Sequence, residues 1–446
     1  MIVKKIIKYI VLLLIVLTAL LWILDFNFSN KQFSYYKIKN LLSKENIAYL
    51  KKKSTEFIDY DFTTTKEKEY LLKNNSAKFE KLSNKFLKNR HYLTQNDNNI
   101  FAITTRGDLF FSSKKEIIDG KRIELKKIKT NINEVIGKEY IEEYNLVVKN
   151  VLIINEKIYV SYIHSDNECY SNAIIEGSLN YDKIKFSSFL KLDECNKTFG
   201  HQVGGNLDNF KNNKILLTLG DFYDFEVSQN KDSYYGKILS IDLTTKNKNI
   251  LSMGHRNQQG LFYDSKNDII FSAEHGPQGG DEINANINPN KNEIKNYGWP
   301  ISSNGEHYGA DENYSNIFSA RRKNNPSEEG LKDSPYWIAP LHNSHKKYGF
   351  EEPIKDFTPS IGITQILKVD NSIDDDYKII VGSLGDNEKE GDMTLHILNF
   401  NKNFKETEHQ KIFIGERIRD MIDLSDGNIL ITLDTSGSFG LIRNIY

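Results

Sequence analysis

From His91 onward the chain repeats one pattern: a polar or charged residue, a short apolar run, then a turn. Asn99 opens NIFAITTRG, Lys157 opens KIYVSYIH and Lys214 opens KILLTLGD. Asp268 opens DIIFSAEHGP, Lys378 opens KIIVGSLGD and Asn428 opens NILITLDTSG. Most copies are followed by a further apolar run, as in GKILSIDL, MTLHILNF and FGLIRNI. Runs this short, bounded by Gly, Asn and Asp, read as strands. They recur mostly at intervals of about fifty to sixty residues, the period of a four-stranded propeller blade. A β-sandwich would bring its turns closer together without such a period. The pattern predicts an all-β fold, a six-bladed β-propeller over 91–446. The long interval between the fourth and fifth copies predicts an insertion at about 286–355. Ring closure protects sheet edges, and a strand from the N-terminal side is expected to complete the last blade.

Upstream the pattern differs. Lys4, Lys5 and Lys8 precede an apolar run from Tyr9 to Leu24, which Asp25 ends. A run of about sixteen residues, or about nineteen counted from Ile6 with Lys8 snorkelling, suits a short membrane span. The apolar region of a cleaved signal is the alternative, but LLWILDFNFSN puts bulky residues where cleavage needs small ones. The expectation is an uncleaved signal anchor over 1–25, a transmembrane helix spanning with residues 6–24. Its basic end would lie in the cytoplasm and the body of the chain would be exported to the periplasmic or extracytoplasmic side. Between Lys31 and Arg90, YYKIKNLLSKENIAYLKKK and KEYLLKNNSAKFEKLSNKFLKN space apolar residues three and four apart. That spacing predicts amphipathic helices, a helical juxtamembrane stalk over 31–90.

Composition adds bounds. A hydrophobic content of 39% with 12% aromatics supports a sizeable core and excludes a disordered chain. Lys+Arg 59 against Asp+Glu 60 gives a net charge of −1. The interspersed charges argue against a nucleic-acid groove. Two cysteines, Cys169 and Cys195, fit an exported protein with one disulfide, two free thiols being the alternative. Neither sits in a paired Cys/His spacing, which argues against a structural metal site there.

Candidate chemistry follows from the repeat. In a blade the innermost strand precedes its neighbour and runs antiparallel to it. The start of one and the end of the other therefore share a face of the disc. Arg256 precedes Asp268, His201 precedes Lys214, and Arg417 and Arg419 precede Asn428 at similar intervals. The turns after the second strands, at Asp221, Glu274 to Pro277, Gly385 to Asn387 and Asp434, point to the same mouth. A His, three Arg and several carboxylates converging there suit a site for an anion, a metal or both. The forked guanidiniums suit a polycarboxylate, and His201 can serve as a general base near neutral pH or be purely structural. The Gly276-Pro277 turn can offer backbone carbonyls to a hard cation such as calcium.

The motifs GHRNQQGL, EHGPQGGDEIN, NYGWP, PSIG and RIRD occur in this order, with GHQVGG and TLGD upstream. From Phe199 to Tyr446 they resemble the glucose/sorbosone dehydrogenase family, the soluble aldose dehydrogenases that use pyrroloquinoline quinone (PQQ) and are calcium-binding six-bladed propellers. The resemblance implies PQQ and Ca2+ as cofactors, a sugar hydroxyl as substrate and a respiratory electron acceptor. It implies His201 as general base, Arg256 beside the reactive quinone oxygens next to Asn257, and Arg417 and Arg419 on the quinone carboxylates. Gly276 and Pro277 would hold the cofactor calcium through their carbonyls. Glu282 and the Tyr297 carbonyl would hold a separate structural calcium. Three positions depart from the family pattern. Gly385 stands where the usual cofactor-binding lysine follows SL, with Lys389 in a longer loop; Gly200 precedes the base where Asp is frequent; and TLGDFYDF keeps Asp221 without the usual polar continuation. Two other readings stay open: a non-catalytic calcium-stabilised propeller binding a glycan or protein, and a calcium-dependent lactonase-like hydrolase. The latter needs carboxylates and Asn deep in the channel, whereas His and Arg dominate this one.

Overall fold

The computed structural model describes residues 67–71, 76–82, 90–119, 125–144, 146–167, 169–197, 202–277, 280–304, 345–369, 377–385, 393–425 and 427–445. The expected signal anchor, His201, Gly200 and Lys389 lie outside these residues. Among the described residues no helix is long and apolar enough to cross a membrane.

The described strands form six sheets. The inner strands are His91–Gln95, Val148–Ile154, Gly204–Phe210, Gln258–Asp264, Ile363–Val369 and Ile418–Ser425. Each packs against the next and the last packs against the first, so the sheets close into a ring of six blades, numbered here in chain order. The second strands are Asn99–Thr104, Lys157–Asp166, Lys214–Leu219, Ile269–Glu274, Tyr377–Ser383 and Asn428–Leu433. They are the six runs the repeat predicts. Their apolar character is continuous because both faces are covered: Ile429, Leu430 and Ile431 are all buried. Each of the six apolar clusters sits between two neighbouring blades, so every blade contributes one face to each of two cores.

The helical stalk expected over 31–90 is corrected within its described part. Glu67–Leu71 and Ser76–Leu82 are strands, paired antiparallel with Leu71 opposite Ser76. Ser76–Leu82 in turn pairs with Phe439–Arg443, Lys78 opposite Arg443, and completes blade 6 as the fold requires. The propeller therefore takes in residues upstream of His91. The local apolar spacing suits a helix, but the open edge of blade 6 offers a row of unpaired backbone groups that only a strand satisfies. Phe79 anchors the pairing, buried among Ile429, Ile431 and Ile442. A Cβ on Gly440 would lie 2.5 Å from the Phe79 ring, so the glycine makes room for it.

The insertion separates the third and fourth strands of blade 4, Asp281–Ile287 and Lys355–Phe357, which pair with Asp281 opposite Phe357. Part of it returns to blade 3. Lys295–Asn296 pairs with the outer strand Lys248–Met253, and the Tyr297 and Trp299 amides donate to Met253 and Gly254 carbonyls at 2.9 and 3.0 Å. This lays Trp299 over the entry to blade 4. Cys169 and Cys195 are bonded, and Tyr170 and Asn196 beside them exchange backbone hydrogen bonds of 2.9 and 3.0 Å. The bridge fastens the segment leading to His201 onto blade 2.

Candidate active site

Five of the six inner strands lose register near their start. The irregularities fall between Val148 and Asn150, Gly204 and Leu207, Gln258 and Gly260, Ile363 and Ile366, and Ile418 and Asp420. A bulge leaves a residue out of the ladder and re-aims its side chain. Lys149, Gln259 and Arg419 occupy these positions in blades 2, 4 and 6. Arg419 Nη1 donates to Gln259 Oε1 at 3.5 Å although a whole blade separates their strands, so both side chains reach into the central channel. Gln259 Nε2 continues the chain to Asn257 Oδ1 at 2.8 Å.

On the blade 3 and 4 side the mouth is a closed polar network. His255 is fully buried; its Nδ1 meets Glu274 Oε2 and its Nε2 meets Ser252 Oγ, each at 2.8 Å. The Tyr297 ring stacks on it at 4.9 Å. The other oxygen of Glu274 accepts the Arg256 backbone N–H. Two residues of GHRN are thus pinned by one buried carboxylate. Arg256 Nη1 donates to the His275 carbonyl at 3.0 Å, and its guanidinium lies 5.4 Å from the Trp299 ring centre. Oriented to suit its neighbours, the Gln202 amide accepts from Arg256 Nη2 at 2.7 Å and donates to Asp221 Oδ1 at 2.6 Å. Trp299 Nε1 donates to Asp221 Oδ2 at 2.8 Å. Burial raises the Asp221 pKa to about 7 against the opposing pull of Arg256. His275, whose Nε2 lies 2.6 Å from the Ile363 carbonyl, has its pKa lowered first by burial.

On the side of blades 6, 1 and 2 the charges do not balance locally. Asp434 is shared by Arg90 Nε at 3.0 Å, Arg419 at 3.4 Å and Arg417 Nε at 3.6 Å. Lys149 approaches the same group, near enough that Arg419 and Arg90, after burial, lower its pKa to about 7. Asp420 is engaged elsewhere, accepting from the Leu93 and Met421 backbone N–H groups at 2.7 and 2.9 Å. Three guanidiniums here share one carboxylate that accepts from no backbone N–H among the described residues, with Lys149 close to two of them.

Beyond Glu274 lies a third group. Glu282 is buried and accepts from the Asn304 backbone at 3.1 Å; burial, then Glu274, raises its pKa to about 8. The amide oxygen of buried Asn284, whose side chain otherwise turns to Glu282, and the Tyr297 hydroxyl have no hydrogen-bond partner among the described residues. A hard cation suits this oxygen-rich pocket, since it would relieve the carboxylate and give the amide oxygen a partner. Among the described residues, however, no three His, Cys, Asp or Glu side chains converge on a metal position. The Gly276-Pro277 turn follows the second strand of blade 4, and the Pro277 carbonyl accepts from Gly280 N at 3.1 Å, leaving it a further lone pair. A Cβ on Gly276 would collide with the Gly280 carbonyl, so this backbone path needs glycine.

The structure thus brings Arg256, Asn257, Arg417 and Arg419 to one mouth, with Gly276 and Pro277 at the end of the adjoining strand. Glu282 and Tyr297 flank the Glu274–His255 pair, with no hydrogen bond between them among the described residues. Gly385 adds only backbone, its N–H donating to Ile361 at 3.0 Å. The sequence reading missed Arg90, Lys149, Gln202, His255 and Gln259. Two of these carried a signal. Arg90 stands to Asn99 as Arg419 stands to Asn428, and Lys149 interrupts the apolar run NLVVKNVLII.

The sequence profile of the glucose/sorbosone dehydrogenases matches residues 145–443. The aldose sugar dehydrogenase YliI of Escherichia coli is 25% identical over 303 residues, 63% of this chain and 71% of that protein. An uncharacterised protein of Synechocystis is 24% identical over 306 residues, 63% of this chain and 65% of the relative, so the chain spans just under two thirds of that protein's length. Among solved structures, the soluble aldose sugar dehydrogenase of Escherichia coli in its apo form superposes with a TM-score of 0.59 at 19% identity, covering 82% of this chain and 99% of the other. The PQQ-bound aldose sugar dehydrogenase of Streptomyces coelicolor gives 0.55 at 14% identity, covering 85% and 99%. At these identities the structural likeness establishes the fold.

Proposed function

Because the chain belongs to the glucose/sorbosone dehydrogenase family, we propose that it is a PQQ- and calcium-dependent oxidoreductase acting on an aldose or a related sugar hydroxyl. The observation that carries the reading is the meeting of Arg256, Arg417 and Arg419 around one channel mouth with a local excess of positive charge. Planar guanidiniums match carboxylates in geometry as well as charge, and the excess suits a polycarboxylate such as PQQ. Arg417 and Arg419 would hold its carboxylates, with Arg256 and Asn257 beside its reactive oxygens. The Gly276 and Pro277 carbonyls would hold the cofactor calcium, and Glu282 with the Tyr297 carbonyl a structural one. Bound in this way, the quinone supplies a two-electron hydride acceptor and the calcium a Lewis acid that polarises it.

The chain's own part is proton handling and orientation. Oxidation of a sugar hydroxyl to a carbonyl removes a hydride from carbon and a proton from oxygen. His201 would take that proton through a neutral imidazole nitrogen. Arg256 is suited to fixing the reacting oxygens, because Glu274, Gln202 and the His275 carbonyl hold its backbone and fork from three directions. Trp299 excludes water from one face of the guanidinium. The disulfide supports the further reading that the protein works in an oxidising, exported setting, tethered by residues 6–24 and passing electrons to a respiratory acceptor.

The test uses the full chain in detergent, reconstituted with calcium and PQQ, following dye reduction over a panel of aldoses. Turnover is expected for at least one sugar, with His201→Ala lowering kcat by about a hundredfold or more. Dye reduction absent across the panel at saturating quinone refutes the reading, and lactone hydrolysis without quinone would replace it with hydrolase chemistry.

A further inference from the structure

Two lysines, Lys237 buried and Lys149 half-buried, line up differently with their surroundings. Lys237 donates to the carbonyls of Val227, Tyr235 and Ser228 at 2.6, 2.7 and 3.1 Å, using all three of its hydrogens inside blade 3. Lys149 has no hydrogen-bond acceptor among the described residues and keeps part of its surface open to the channel. Its position is built. It is the bulge residue of blade 2, at the level where blade 6 presents Arg419 and blade 4 presents Gln259. Its stem lies against Gly205, where a Cβ would come within 2.6 Å of Lys149 Cβ and 2.9 Å of its Cγ. Gly205 itself has φ +101°, so the bulge of blade 3 yields its channel position to the lysine. Nearby, Asp434 is already divided among Arg90, Arg417 and Arg419.

We propose that Lys149 is a ligand-binding residue of the channel mouth, its ammonium hydrogen-bonding a carboxylate of an anionic ligand that Arg419 and Arg90 also attract. The physical reason is cost. A half-buried ammonium with no protein acceptor among the described residues, placed beside two guanidiniums, is unfavourable in the free protein. A polycarboxylate removes both penalties together. Burial and the two arginines, which hold the free amine near a pKa of about 7, leave it able to take up a proton when the anion arrives. The ligand's identity rests on the proposed function above. A carboxylate can come from the quinone or from an acidic sugar.

The experiment labels the full chain, in detergent with calcium, with an amine-acylating ester at pH 7.5. The extent of reaction at Lys149 is read by peptide mass with and without PQQ, and separately with citrate. Protection of Lys149, but not of Lys237, by either anion is expected. In parallel, PQQ affinity is measured for the wild type, Lys149→Gln and Lys149→Arg. A loss of about tenfold or more for Gln, with Arg near wild type, assigns the carboxylate to the quinone. Unchanged quinone affinity with a raised KM for glucuronate, and not for glucose, assigns it to the substrate and equally supports the site. The proposal is overturned if neither anion protects Lys149, or if a folded Lys149→Gln matches the wild type in both affinity and KM. Should the wild type fail to bind PQQ, the functional reading falls, and citrate protection still decides this site. If Lys149→Gln does not fold, labelling of the wild type and the Arg variant decide it.

Discussion

The two sides of the channel mouth use charge in opposite ways. Around blades 3 and 4, Arg256 is held through Gln202, Glu274 and the His275 carbonyl, and Asp221 is answered by Gln202 and Trp299. Around blades 6, 1 and 2, Arg90, Arg417 and Arg419 share Asp434, and Lys149 lies close enough to feel two of these guanidiniums without a carboxylate of its own among the described residues. The first arrangement fixes a guanidinium before any ligand arrives, which suits the orienting role proposed for Arg256. The second gathers like charges that the proposed anion would relieve. On the proposed reading, one mouth divides orientation from capture.

The sharpest way to break the comparison is Glu274→Ala. It leaves His255 Nδ1 and the Arg256 N–H unanswered in the interior. A loss of about 3 kcal/mol or more is expected by denaturant unfolding, unchanged by added citrate. Asp434→Asn should cost less, about 2 kcal/mol, and citrate should restore most of it by standing in for the lost carboxylate. Rescue of both variants, or of neither, would erase the distinction between the two sides.

The pH profile sharpens it further. Glu282 is raised from 4.5 to about 8, so its contribution to stability is present in acid and lost as pH rises through that range. Lys149 is lowered from 10.5 to about 7, so its contribution is present in alkali and lost as pH falls through that range. In the absence of calcium and anions, stability is expected to pass through a minimum between about pH 7 and 8. Glu282→Gln should make the acid limb shallower, a limb that Asp208, Asp221 and Asp420 also shape, and Lys149→Gln the alkaline limb, which Lys237 shares, in thermal melts across pH. The smallest effect is reserved for Trp299→Phe, which keeps a ring over Arg256 but gives up the bond to Asp221. About 1 kcal/mol is expected, with quinone affinity nearly unchanged in the same titration.

Much of this was legible before any coordinates. The six second strands could be read as apolar runs because neighbouring blades cover both of their faces, as at Ile429 to Ile431. The repeat then aligned Arg256 with Arg417 and Arg419, since equivalent places in a blade meet at the axis. The strand Ser76–Leu82 was misread because its partner Phe439–Arg443 lies at the other end of the chain, and no local spacing records such a pairing. His255 looked like one more polar residue of a turn; its burial under Tyr297 depends on the insertion folding back across blades.

Alone, the sequence determined the number of blades and the class of chemistry its motifs resemble, and it aligned the arginines that the ring brings to one mouth. These are written in a period and in residue types, which local composition carries. The tertiary structure decided which strand closes the ring, which carboxylate each cation shares, and that Lys149 is left with none among the described residues. Those outcomes depend on distances between blades. A bulge in one strand and a glycine in the next set them, and neither has meaning until the ring is closed.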